Sequence, residues 1–150
     1  MINGTVNVFK GNSIAVVEYD FSGCRWEEDE DFKAWCGDEY NNRINVIFNA
    51  FMHSFNENSK GLKNDTDNSN ASIKLPFKLT NFERNQSMTG MWGQGKISVT
   101  GSLSIIDLST NTEVCTIKID GYGDGKDFNH TDGMAKCFKG LAKALLKLKK

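Results

Sequence analysis

One proline, two histidines and no long apolar run set the first limits on this chain. No segment approaches the ~20 apolar residues that a membrane-spanning helix needs, so no transmembrane segment is expected. The opening MINGTVNVFKG lacks a basic stretch followed by an apolar one, and no cysteine follows a leader, so neither a signal peptide nor a lipid anchor is expected from the sequence. An excess of one charge is also missing. Eighteen Lys and Arg face nineteen Asp and Glu, a net charge of -1. Such a chain has no overall field to attract nucleic acid, and no nucleic-acid partner is expected. The four cysteines, Cys24, Cys36, Cys115 and Cys137, form no C-x-x-C and no close pair. They read as mostly reduced thiols in structural positions, with one bridge left open.

What is present is enough to build a core. Ten Phe, three Trp and three Tyr in 150 residues supply large apolar side chains without help from metal or disulfide. No internal repeat appears, and residues 1–150 read as a single domain.

Hydrophobic periodicity then orders the elements. Residues 5–9 alternate, Lys10-Gly11-Asn12 signals a turn, and Ala15, Val17, Tyr19 and Phe21 resume on one face, the pattern of a β-hairpin. After the acidic run 27–31, Phe32, Cys36, Tyr40, Ile44, Ile47, Phe48, Phe51 and Phe55 recur at three- and four-residue spacing. That is one helical stripe, a rod of roughly 36 Å weakened near Gly37. Residues 56–70 form a polar loop. Three alternating runs follow, over 72–82, 96–107 and 113–120. Pro76 marks the first as an edge strand or one with a bulge, and Ser109-Thr110-Asn111 joins the other two. A last helix opens at Thr131 or Asp132 and buries Met134, Phe138, Leu141, Leu145 and Leu148. The fold class is therefore α+β. The expected architecture is a two-layer sandwich, a mainly antiparallel sheet of about five strands with two helices on one face, in the order β-hairpin, α, β, β, β, α.

Several constellations invite a functional reading. The acidic run 27–31 resembles a hard-cation cluster, but consecutive carboxylates on a helix start diverge, and favourable charge at a helix N-terminus accounts for them. Asp65-Thr66-Asp67-Asn68-Ser69 opens like an EF-hand loop, yet Asn70 and Pro76 stand where Gly and Glu belong. The run 121–126 (GYGDGK) matches neither phosphate-loop spacing and reads as a flexible connection. Asp120, Asp124 and Asp127 in and around it are the candidate metal or small-ligand set, although no cofactor is expected. His53 with Glu57, and His130 with Cys137, are the residues from which a Cys–His hydrolase would be built. Their places beside apolar stripes point to packing or helix surface, and no enzymatic activity is expected. Met88, Met91 and Trp92, in a glycine-punctuated connection, are the candidate binding residues. Large apolar side chains there either meet a protein partner or cap the core. The lysines of the last helix read as a solvated face.

The run 99–108 (VTGSLSIIDL), then TNTE at 110–113 and CTI at 115–117, a Gly-rich turn and an Ala/Leu/Lys helix resemble the C-terminal half of small bacterial envelope domains of lipoprotein type. Their architecture is related to the CsgG and TolB amino-terminal domains. This resemblance implies a β-α-β-β-β-α order, an extracytoplasmic location (periplasm or cell envelope) and no catalysis. Trp26-Glu27, the run 32–37 (FKAWCG), Asn81-Phe82-Glu83-Arg84 and Met91-Trp92-Gly93 are similar to uncharacterised gut-bacterial proteins, which imply no function. Together these features lead to the expectation of a non-catalytic extracytoplasmic domain that binds a protein or other envelope component through residues 82–95. A small-ligand or cation-binding module, and the Cys–His hydrolase, are the alternatives.

Overall fold

The computed structural model describes residues 2–3, 14–58, 63–65, 71–85, 95–127 and 130–147; for 2, 3, 14, 63–65, 85, 95 and 124–127 only the backbone is described. The strands are β1 (Ile2–Asn3), β2 (Ile14–Asp20), β3 (Arg25–Trp26), β4 (Glu30–Asp31), β5 (Lys63–Asp65), β6 (Ile73–Asn85), β7 (Gly95–Asp107) and β8 (Thr112–Asp127). The helices are α1 (Phe32–Cys36), α2 (Tyr40–Asn58) and α3 (His130–Leu146). All the strands join one sheet in the order β1-β8-β7-β6-β2-β5, with β3 on the end of β6 and β4 paired to β3. The α+β class holds, with a mixed sheet.

The N-terminal pairing differs from the expected hairpin. At Ala15 and Val16 both edges of β2 are occupied by parallel neighbours, β6 on one side and β5 on the other. Residues 5–9, the expected hairpin arm, lie outside the described residues, and β1 pairs with β8 at the opposite side of the sheet. Parallel strands cannot be joined by a tight turn and need a crossover. The helix after β2 is that crossover.

The single rod expected over 32–55 is broken. Asp31 caps α1 by accepting from the Ala34 N–H at 3.0 Å. Gly37 then takes φ +56°, a left-handed value that needs glycine, and Gly37–Glu39 form a short 3-10 turn before α2 begins. Of the acidic run, only Asp31 serves a helix start. Glu27 and Glu28 instead sit at φ 52° and 65° in the turn between β3 and β4. That turn is tied down by Glu27 N–H donating to the Phe82 carbonyl (2.7 Å) and Glu28 N–H to Asn81 Oδ1 (2.9 Å).

The three later strands fall where alternation places them, with two differences. Strand β6 is interior, between β7 and β2, so the edge reading of Pro76 fails, whereas a bulge-like shift in register to β7 does occur in this strand, between Leu79 and Asn81. Its ladder to β7 passes from Lys74↔Ile106 to Phe77↔Leu103, skipping the proline that has no N–H to give. Strand β8 runs on through the Gly-rich segment read as a connection. Asp120 and Gly121 together oppose Thr100, and Gly123 and Asp124 together oppose Ser98, so the glycines serve two β-bulges. Gly121 takes φ +58°, and its N–H donates to Thr100 Oγ1 at 3.0 Å. The β7–β8 turn ends at Asn111, with φ 54°.

The core lies between the sheet and the helices. Ala15, Val17, Leu75, Phe77, Leu79, Val99, Leu103, Ile105, Ile117 and Ile119 meet Ile47, Phe51 and Phe55 of α2 and Met134, Cys137, Phe138, Leu141 and Leu145 of α3. Leu148 lies outside the described residues. Ser54 is fully buried where the helices meet, and its hydroxyl donates to the Lys139 carbonyl at 2.8 Å beside buried Gly140. No described helix is long and apolar enough to cross a membrane.

Two substitutions test this packing. The Tyr19 side chain packs against the rings of Phe48, Phe77 and Phe138, and its buried hydroxyl has no hydrogen-bond partner among the described residues. Tyr19→Phe should raise the unfolding free energy in a urea titration by about 1–2 kcal/mol, since it removes an unsatisfied polar group. A Cβ on Gly101 would stand 2.3 Å from the Lys78 carbonyl oxygen on the neighbouring strand. Gly101→Ala should therefore cost about 1–3 kcal/mol in the same measurement.

Candidate functional site

Aromatic and cationic side chains gather at the end of the sheet where β6 finishes and β7 and α3 begin. Strand β3 continues the line of β2 along β6, pairing Trp26 with Phe82. This places Trp26 under α1, and the two indoles of Trp26 and Trp35 stack at 3.8 Å between centroids, 12° from parallel. The Arg43 guanidinium lies over the Trp35 ring at 4.6 Å. With Trp26 filling one face of Trp35, Arg43 takes the other. Such a contact is worth about 0.5–2 kcal/mol, more as water is excluded. Arg43 Nε also donates to Thr131 Oγ1 at 3.1 Å, joining the start of α2 to the first turn of α3.

His130, the first residue of α3, sets its ring edge-on against both indoles, at 5.4 Å from Trp26 and 5.2 Å from Trp35. Because α3 begins at His130, Thr131 and Asp132 occupy its first turn rather than its cap. Partial burial lowers the His130 pKa below the usual imidazole value, and the charges of Arg84 and Arg43 lower it further against the opposing pull of Glu27. Arg84 leaves β6 two residues after buried Phe82, hence from the same face, toward the helices.

The residues singled out from sequence fall in different places. Met88, Met91 and Trp92 lie outside the described residues. The strand ends that bracket them, Asn85 and Gly95, are at this same end of the sheet and oppose Lys96 and Asp127 respectively. Asp120, Asp124 and Asp127 belong to strand β8 rather than to a loop, and of the three only the Asp120 side chain is described. Measured along β7, Asp120 and Asp124 are two residues apart, about 7 Å, and Asp127 lies roughly 10 Å further on. Among the described residues no group of His, Cys, Asp and Glu could hold a metal ion.

His53 Nε2 and Glu57 Oε1 are exposed i,i+4 neighbours 3.4 Å apart. Cys137 is buried, and its thiol reaches the Tyr122 carbonyl at 3.4 Å, whereas the His130 ring faces the tryptophans two turns earlier. The pair does not form a nucleophile–base arrangement. All four cysteines are free thiols. Burial, with Cys36 and Asp31 nearby, pushes Cys24 up to about 12, and burial also raises Cys36 and Cys115. Thiols shifted upward are poor nucleophiles at neutral pH.

Trp26, Trp35, Arg43, Arg84 and His130 were not legible as a set. Each belongs to a different element, and only the turn at Glu27–Glu28 and the break at Gly37 bring the indoles together.

The architecture can now be compared with solved structures. The chain is similar in fold to PelC. A PelC dodecamer from Paraburkholderia phytofirmans gives a TM-score of 0.50 at 13% identity, covering 100% of this chain and 97% of that one. A Xanthomonas campestris protein of the DUF330 family gives 0.48 at 7% identity, covering 89% of this chain and 79% of that one. The sequence matches no protein-family model and no curated protein. At these identities the likeness to PelC establishes the fold alone.

The lowered His130 pKa has a defined sign. Unfolded chains hold a proton on His130 up to about pH 6.5, whereas the folded protein releases it at lower pH. Stability from this group is complete above that range and is lost as pH falls through it. Between about pH 8 and 5.5 the unfolding free energy should drop more in the parent protein than in His130→Gln, as urea titrations at both pH values would show.

Proposed function

We propose that this chain is a non-catalytic, extracytoplasmic bacterial domain that binds a protein or other envelope component. Its contact surface is the end of the sheet that carries residues 82–95. The reading rests chiefly on one observation. The Trp26–Trp35–Arg43 stack, with His130 against it, lies at the end where Asn85 and Gly95 open the connection holding Met88, Met91 and Trp92. Trp26 is buried and backs Trp35, while Trp35 and Arg43 are half-buried, and aromatics and arginine are residue types enriched at protein interfaces.

Two further facts support it. The architecture is shared along nearly the whole length of PelC, a protein that forms a dodecamer. The sequence also resembles envelope domains of lipoprotein type. The absence of catalysis is supported by the placement of Cys137, buried and turned away from His130. Raised pKa values at Cys24, Cys36 and Cys115 agree with it.

Fractionation of cells expressing the complete gene should recover the protein with the envelope or periplasm. A hydrophobic dye should bind the purified protein and be released by Trp92→Ala at unchanged thermal stability. Recovery in the cytosol alone would overturn the location. Rapid labelling of Cys137 in the native state would overturn the non-catalytic reading.

A further inference from the structure

We propose that Cys24 and Cys36 form a dithiol that closes to a disulfide by exchange with a disulfide oxidant, locking the Trp26–Trp35 stack in place. Phe32 is the neighbour that the two cysteines share. Its N–H donates to the Cys24 carbonyl at 2.9 Å, which carries the β3–β4 pairing of Arg25 with Asp31 one step further. Residues opposed in that way stand about 5.5 Å apart at their Cα atoms. Cys36 follows Phe32 by one helical turn in α1 and lies on the same helix face. The helix also folds back over β3, because Trp35 stacks on Trp26 at 3.8 Å between centroids. Cys24 and Trp26 are buried and Arg25 between them is exposed, so the Cys24 side chain shares the Trp26 face. Both thiols thus enter one part of the core, beside the Phe32 and Tyr40 rings. The electrostatics agree with this geometry. Burial raises the Cys24 pKa first and nearby Cys36 second, and burial followed by both thiols raises Tyr40.

Cys36 is the attacking thiol. Cys24 is fully enclosed, whereas Cys36 keeps 6% of its surface and accepts a hydrogen bond from the Arg43 side chain. After losing its proton, Cys36 attacks one sulfur of the oxidant's disulfide and expels a thiolate. Cys24 then gives up its own proton, attacks the Cys36 sulfur of the mixed disulfide and expels the second thiolate. Two protein thiols are oxidised, the oxidant is reduced to two thiols, and the released protons end on the expelled sulfurs. Thiols shifted upward by burial make this a slow, stoichiometric closure and not a turnover reaction. The bridge encloses residues 24–36, the span that holds the left-handed turn at Glu27–Glu28 and both indoles. Closing such a loop removes freedom from the unfolded chain and so stabilises the fold. The proposal rests on the extracytoplasmic reading only for its supply of oxidant, since disulfides persist chiefly outside the cytosol.

The test incubates the full chain in oxidised glutathione at about pH 8, then denatures it under an alkylating reagent for peptide mapping by mass spectrometry. Alkylatable thiols should fall from four to two, with one bridged peptide joining Cys24 to Cys36. Closure should slow about tenfold from about pH 8 to 7, as the thiolate fraction falls. The near-ultraviolet circular dichroism of the tryptophans should melt about 5–10 °C higher in the oxidised protein, and dithiothreitol should reverse the shift. Cys24→Ala and Cys36→Ala should each abolish both the bridge and the shift. If either variant misfolds, the peptide map of the parent chain decides alone. Trp92→Ala and cell fractionation bear on docking and location and leave closure in glutathione unchanged, so the two readings fail separately. A bridge to Cys115 or Cys137, no bridge after a day in oxidised glutathione, or identical melting in the two redox states would overturn the proposal.

Discussion

Parallel pairing of β2 with β6 constrains the arrangement of almost everything else, because strands running the same way must be joined by a chain segment that crosses the sheet. That segment carries α2, whose Ile47, Phe51 and Phe55 then have to lie on the sheet. Strand β8, at the far side of β7, hands the chain to α3 on the same face. The two helices meet through Ser54 and the buried Gly140, where small side chains let the backbones approach. The opposite face of the sheet is left to Ser98, Thr100, Ser102 and Ser104, the polar half of the β7 alternation.

The same pairing builds the candidate site. β2 leaves β6 at Lys78, and β3 takes up the edge again at Asn81 and Phe82, so Trp26 arrives beside the last turns of the sheet. The turn that follows forces Glu27 and Glu28 into left-handed backbone, a conformation costing roughly 1–2 kcal/mol per residue. Backbone bonds to Phe82 and Asn81 offset part of that cost. The break at Gly37 separates α1 from α2, so that α1 supplies Trp35 to the stack while α2 sends Arg43 back across its other face. Strain at the turn and the helix break are both spent on one aromatic–cation stack.

Burial and charge act together at this end. Partial burial lowers the His130 pKa, and the charges of Arg84 and Arg43 lower it further against the opposing pull of Glu27. On the sheet, Glu18 of β2 pairs with Lys74 of β6 at 3.2 Å.

Periodicity alone determined the α+β class, both long helical stripes and the strands over β6 and β7, because burial on one face imposes a period of two or of 3.6 wherever it occurs. It also set Cys36, Cys115 and Cys137 on or beside apolar faces, and of these Cys36 and Cys137 are buried and Cys115 is half-buried; Cys24, which the sequence places in a connection, is buried as well. It could not decide which strands pair. Ala15, Val17 and Phe21 alternate identically in a hairpin arm and in a parallel strand, so the hairpin reading and the parallel one fit the same residues. The glycines at 121, 123 and 125 likewise suit a loop or a bulged strand, and only the register against Thr100 and Ser98 chooses between them. The candidate site was legible as single residues and not as a site. Trp26, Trp35, Arg43, Arg84 and His130 are separated by up to 104 positions, and no local rule of spacing links them. Their meeting was decided by tertiary structure, through the crossover, the β3 turn and the start of α3, since contact between distant segments is set by strand order and not by local preference.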